Sequence, residues 1–284
     1  MKNKINNYLE FIQFKHTVFA LPFALSSYIL VTIKIGFQIT DLILILLSLI
    51  CARIFGMSLN RILDVNIDKK NPRTSNRGLV SGAISYKGAY AVTLISLSLF
   101  YLIIINFNVV TIYLSPIVII IFFIYPITKR FTYLCHYFLG VVYFIAPPAV
   151  EIALTGKFSL ETFFLGIAGF FWVSGFDLIY AILDIDFDKQ NNIYSIPSKF
   201  GLKITKLLAS ISHLITFIFI LLIGFILNLN PIYWFGCTII LLLFIREHII
   251  LKNITKENIN TAFFDMNGQI SIMFMATFIL STIL

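Results

Sequence analysis

Residues 38–68 read QITDLILILLSLICARIFGMSLNRILDVNID. The first part of this stretch is almost wholly apolar, and about 20 such residues cross the hydrocarbon core of a bilayer as a helix. The last part, from Asn60 to Asp68, is an NxxxDxxxD pattern. One segment therefore joins a membrane span to an end that carries carboxylates.

The rest of the chain repeats that apolar character. Hydrophobic residues make up 59% of the 284 residues and charged residues 12%, whereas a soluble domain has about 25% charged residues. A soluble core cannot hide so much apolar surface. The chain reads as an all-α, multi-spanning bundle in a lipid bilayer, with nine helices expected near 14–35, 38–60, 87–107, 109–126, 134–154, 160–182, 204–228, 230–247 and 264–283. No soluble segment interrupts them, so residues 1–284 read as one domain. The polar start, followed by an apolar run without a small-residue cleavage pattern, reads as having no cleavable signal peptide. Cys51, Cys135 and Cys237 lie far apart in apolar runs and read as small core residues, with neither a disulfide nor a zinc site.

The net charge of +8 does not point to nucleic acid, because the positive residues sit in short loops rather than on a soluble face. With Lys2 and Lys4 in the cytoplasm, the even-numbered helices are followed by loops rich in positive charge. These loops hold Arg61, Lys69, Lys70, Arg73 and Arg77, then Lys129 and Arg130, then Lys189, Lys199 and Lys203, then Lys252 and Lys256. The opposite loops hold Lys34 and Lys157. That asymmetry obeys the positive-inside rule and predicts a cytoplasmic N-terminus and cytoplasmic carboxylate loops.

On a helix, Asn60, Asp64 and Asp68 share one face. A second cluster, DLIYAILDIDFD from Asp177, spaces Asp177, Asp184 and Asp188 by seven and four residues, again one face if the helix is continuous. Asp186 would point elsewhere, toward solvent or behind the ligating residues. Both clusters end an even-numbered helix, as expected of a diverged internal duplication. Clustered carboxylates repel one another and need cations. Magnesium suits such a site, since it takes a few carboxylates and completes its shell with water and phosphate oxygens. Arg73, Arg77, Lys129 and Arg130 supply the basic side chains that bind phosphate. A diphosphate held at the end of an apolar bundle suggests a lipid diphosphate, its tail among Phe, Leu and Ile. Arg53, seven residues before Asn60 on the same face, is an intramembrane charge and so a candidate for an internal carboxylate or for the carboxylate of an aromatic substrate. Lys15 and His16 are further candidates for acceptor contact. His136, His213 and His248 have no metal-ligand spacing and read as structural or interfacial.

Three segments, NRILDVNIDKKNPRTSNRGLVSG (60–82), YPITKRFTYLCHYFLG (125–140) and DLIYAILDIDFDKQNNIYSIPSKFG (177–201), resemble the UbiA superfamily of intramembrane aromatic prenyltransferases. The resemblance implies helices around a central cavity and two magnesium ions bridging a diphosphate. It implies metal ligation by Asn60, Asp64 and Asp68 and by Asp184 and Asp188. Asp177 and Tyr180 match further motif positions, Arg73, Arg77 and Lys129 match basic positions near the diphosphate, and Tyr125 matches a position beside the departing diphosphate. DxxYAxxDxxxD and YPxxKRxT are similar to the 4-hydroxybenzoate polyprenyltransferase branch. That branch implies transfer from a polyprenyl diphosphate to a hydroxy-aromatic acid in ubiquinone biosynthesis at the bacterial inner membrane. FKHTVFALPFAL near the N-terminus and FFDMNGQIS (263–271) are similar instead to a sister branch that prenylates 1,4-dihydroxy-6-naphthoate in futalosine-route menaquinone biosynthesis. Intramembrane charge and duplication also suit a transporter, but matched mid-membrane Gly/Pro breaks are missing from the sequence.

Overall fold

The computed structural model describes residues 2–13 and 17–284, without the side chains of residues 2–5, 17, 18 and 20. Lys15 and His16 lie outside the described residues. The chain forms α1 (Lys2–Phe11), α2 (Thr17–Ile35), α3 (Ile39–Lys70), α4 (Tyr86–Ile104), α5 (Val109–Thr128), α6 (Cys135–Thr155) and α7 (Leu160–Tyr180). A 3₁₀ turn (Ala181–Asp184) leads into α8 (Ile185–Gln190), followed by α9 (Ile196–Ile226) and α10 (Pro231–Ile250). The chain ends with α11 (Lys256–Asn260), a π-helical turn (Thr261–Met266) and α12 (Asn267–Ile283). The described residues contain no strand.

Among the described residues, eight helices are long and apolar enough to cross a membrane: α3, α4, α5, α6, Leu160–Gln190, α9, α10 and Lys256–Ile283. Leu21–Ile35 of α2 is a shorter apolar helix, so the expected nine spans appear as eight full ones and a short one. Large apolar side chains such as Leu94, Tyr113, Phe225 and Phe235 are exposed along these helices. In a spanning helix such side chains face lipid, which solvates them without a core.

The chain divides into two compact units. The first holds residues 1–17 and 38–127, with α1, α3, α4 and nearly all of α5. Cys51 of α3 packs with Phe100 and Ile104 of α4 and with Ile119 of α5. The Phe55 and Phe122 rings meet edge to face at 6.2 Å. The helix α1 was not expected from the polar start. Its apolar side is short but buries Phe11 with Leu79, Ile84 and Ala89, so it docks on the loop that follows α3.

The second unit holds residues 18–37 and 128–284. Its centre is α7, which packs on α6 and on α9. Trp172, Phe176, Phe19, Phe23, Phe263 and Phe274 fill the core beside it, with Phe23 stacked on Phe274 at 5.1 Å. The start of α7 is held by a carboxylate: Glu151 Oε2 accepts from Ser159 N at 2.7 Å, Ser159 Oγ at 2.9 Å and Thr162 Oγ1 at 2.5 Å. The α9 segment is broken near its start by Gly201, at φ 74° and ψ 178°. Its first residues are held by a capping box, in which Ser195 Oγ accepts from Ser198 N and Ser198 Oγ accepts from Ser195 N.

Close approach of α6 to α7 depends on missing side chains. A Cβ on Gly166 would lie 2.6 Å from the Phe144 carbonyl oxygen, and one on Gly140 2.7 Å from that of Phe170. Small residues let membrane helices pack backbone to backbone in this way. A Cβ on Gly268 would meet nothing within 4 Å. Gly166→Ala should therefore lower thermal stability in detergent by about 1–3 kcal/mol, the usual cost of overpacking. Gly268→Ala should leave it unchanged or slightly raised. Circular dichroism melts of the two variants check the contrast.

Candidate functional site

In the first unit, α3 continues for ten residues past the expected end of its span, to Lys70. Asn60, Asp64 and Asp68 therefore all lie on one unbroken helix at i, i+4 and i+8, a repeat that keeps them on one face. Asp64 and Asp68 are buried, 2% and 5% exposed, and so is Arg61, one turn before Asp64; Asn60 is half-buried. The loop folds back on this end. The Asn71 backbone N–H donates to Ile67 O, Thr74 Oγ1 donates to Asp68 O at 3.1 Å, and Arg73 N donates to Asn71 Oδ1 at 2.9 Å. These bonds bring Arg77 onto Asp68, where Nη1 lies 2.6 Å from both carboxylate oxygens. Arg61 lies within electrostatic reach of Arg77, Asp68, Tyr125 and Asp64. The structure thus gathers Asp64, Asp68, Arg77 and Tyr125 around a buried arginine that the sequence had shown only as a loop charge. Arg73 and Tyr125 are half-buried, and Arg53, two turns before Asn60, is half-buried on α3.

In the second unit the expected continuous helix is interrupted. α7 ends at Tyr180, the 3₁₀ turn takes Ala181–Asp184, and α8 begins at Ile185. A 3₁₀ residue turns the chain about 120°, an α residue about 100°. Over the four residues of the turn the phase advances by about 80° more than in an α-helix. The seven-residue spacing then leaves Asp177 about 60° around the axis from Asp184, against about 20° on a continuous α-helix, while Asp184 and Asp188 keep a four-residue spacing across the start of α8. Asp188 is buried and accepts from Ser195 Oγ at 2.7 Å, whereas Asp186 is exposed. Asp184, Lys129 and His136 lie within electrostatic reach of Asp188. The Lys129 carbonyl accepts from Tyr194 N at 2.8 Å, which fixes the loop before α6 to the loop after α8. Arg130 is exposed.

His136, expected to be structural or interfacial, has Nδ1 2.7 Å from Asp177 Oδ2. Nothing in its spacing signals this, because the two residues are on different helices. Tyr180 stacks on Phe263 of the π-helical turn, with centroids 4.2 Å apart. Every predicted donor to a cation in both clusters is an oxygen, from a carboxylate or the Asn60 amide, as a hard divalent ion requires. The Ser195 hydroxyl orients Asp188 as a ligating carboxylate is usually oriented. The residues present fit magnesium.

The family model described as the UbiA prenyltransferase family matches residues 20–278. A 4-hydroxybenzoate octaprenyltransferase of Histophilus somni (strain 2336) is 32% identical over 212 residues, 75% of this chain and 74% of the relative. The apo structure of a UbiA homolog from Aeropyrum pernix K1 matches with a TM-score of 0.85 at 29% identity, over 93% of this chain and 97% of that one. The fold is also that of a UbiA homolog from Archaeoglobus fulgidus bound to GPP and Mg2+, with a TM-score of 0.72 at 19% identity, over 98% of this chain and 100% of that one.

Arg77 compensates a buried carboxylate, so Arg77→Met should cost about 2 kcal/mol of stability, less than a fully buried pair because Arg77 is partly exposed. Adding Asp68→Asn should recover part of that loss. A double-mutant cycle of denaturation midpoints reads the coupling, and additive losses would show that the two side chains do not interact.

Proposed function

The chain belongs to the UbiA prenyltransferase family, and from that premise we propose that it transfers a polyprenyl group from a polyprenyl diphosphate to a hydroxy-aromatic acid of the 4-hydroxybenzoate type. The observation that carries this reading is the set of buried Asp64 and Asp68, held with Arg61 and Arg77 at the end of an apolar span. Family membership removes the transporter reading. In this proposal both units serve one domain, in a multi-pass protein of the bacterial inner membrane with its N-terminus and carboxylate loops in the cytoplasm. The charge asymmetry of the loops supports that orientation.

Asn60, Asp64 and Asp68, with Asp184 and Asp188, would hold magnesium. Bound magnesium would neutralise charge on the diphosphate as it leaves. Arg73, Arg77, Lys129 and Arg130 bind phosphate oxygens, and Tyr125 lies beside the leaving group. The allylic C–O bond breaks and its electron pair departs with the diphosphate. Aromatic faces, Tyr180 among them, stabilise the resulting allylic cation. Apolar walls keep water from it. The acceptor ring attacks ortho to its hydroxyl, a C–C bond forms, and a ring proton is lost to diphosphate or to an aspartate. Asp177 orients substrate, and Arg53 pairs with the acceptor carboxylate. This acceptor class places the chain in ubiquinone biosynthesis. A second reading, 1,4-dihydroxy-6-naphthoate in menaquinone biosynthesis, is favoured by FKHTVFALPFAL and FFDMNGQIS (263–271).

Asp64→Ala and Asp184→Ala should each lower prenyl transfer by about 10²–10³-fold, the scale of losing a main electrostatic stabiliser. The assay uses membranes with a polyprenyl diphosphate, magnesium and each aromatic acid in turn. Chelation should abolish transfer and magnesium should restore it. Full activity in either variant would overturn the two-cluster reading. The acid that is prenylated decides between the two acceptors.

A further inference from the structure

In the second unit, α9 and α10 bury a polar cluster that prenyl transfer does not use. His213 is 2% exposed, Glu247 and Asn267 are fully buried, and His248 is half-buried. Asn267 fixes the orientation of Glu247. Its Oδ1 accepts from Trp172 Nε1 at 2.7 Å, a group that only donates. Its Nδ2 therefore donates, to Glu247 Oε1 at 2.8 Å and to Ala262 O at 2.8 Å. Among the described residues Glu247 Oε2 finds no hydrogen-bond partner, and it lies 3.4 Å from His213 Nδ1.

The tautomer of His248 follows from its neighbour. Ser210 Oγ gives its one proton to Lys206 O at 2.9 Å, so it accepts from His248 Nδ1 at 3.2 Å. His248 Nε2 is then a lone pair, and it faces His213 Nδ1 at 3.1 Å. Three atoms, His213 Nδ1, His248 Nε2 and Glu247 Oε2, converge within 4.8 Å of one another. Ligands about 2.0–2.1 Å from a tetrahedral ion sit about 3.3–3.4 Å apart, close to the 3.1 and 3.4 Å found here.

We propose that His213, Glu247 and His248 bind one divalent transition-metal ion of the zinc class, with a fourth position open. Two imidazoles and one carboxylate are a known zinc donor set, and imidazole does not suit magnesium. Ser210 holds His248 from behind and Asn267 holds Glu247. Such partners orient metal ligands. The nearby Lys206 ammonium is held by the Leu251 carbonyl at 2.9 Å. The ion ties α9 to α10. Through Glu247 and Asn267 it also steadies the π-helical turn whose Phe263 stacks on Tyr180.

The test uses the full chain without a histidine tag, purified in detergent, loaded with zinc chloride and desalted. Elemental analysis should find about one zinc per chain. Glu247→Gln and His248→Ala should lose most of it, while Asp64→Asn should keep it. Equal zinc in wild type and the folded Glu247 and His248 variants overturns the proposal. If those variants do not fold, cobalt titration of the wild type decides. Visible d–d bands of a tetrahedral site with nitrogen and oxygen ligands support the assignment, and their absence in folded protein overturns it.

Discussion

Carboxylates set into the ends of apolar helices cost several kcal/mol each unless cations or donors meet them, and the two units meet that cost by different means. In the first unit the compensation is cationic. Arg61 comes from the same helix, and Arg77 is returned by the loop through the bonds of Asn71 and Thr74. In the second unit a neutral donor joins the cations: Ser195 donates to Asp188, which Lys129 and His136 reach electrostatically, and His136 meets Asp177. The loops around both clusters are shaped by this requirement.

The second constraint is helical winding. α3 runs without a break from its apolar start to Lys70, so the first cluster keeps one phase. The second cluster is reached only after the tighter turn at Ala181–Asp184. A wider turn, Thr261–Met266, then seats Phe263 on Tyr180. Tight and wide turns of this kind change where side chains point without interrupting the helical hydrogen bonding that an apolar environment demands.

The spans were legible because apolar runs of fixed length leave little choice. The first aspartate cluster was legible because its spacing survives on an unbroken helix. The turn at Ala181–Asp184 was not: Ala, Ile and Leu all favour helix, and no Gly or Pro marks the change. The helix α1 was hidden by its polar composition, since only Phe11 and a few neighbours dock. Arg61 was read as a loop charge because the span was ended too early. His136, Glu247, His248 and Asn267 acquire partners only through tertiary packing, on helices 20 to 95 residues apart in the chain. No local pattern encodes such pairs.

Gly201 follows the Asp188–Ser195 segment and turns the chain into the long part of α9. Its φ of 74° with ψ of 178° falls in a backbone region that essentially only glycine occupies. Space is not the obstacle, since an added Cβ would meet nothing within 4 Å. Every missense change at this codon adds a Cβ, and so each meets the same backbone penalty, of the order of 1–3 kcal/mol. Chemically similar and dissimilar replacements are thus equally disfavoured. Position 201 has no conservative neighbour in the genetic code, and drift there is checked by backbone geometry rather than by chemistry.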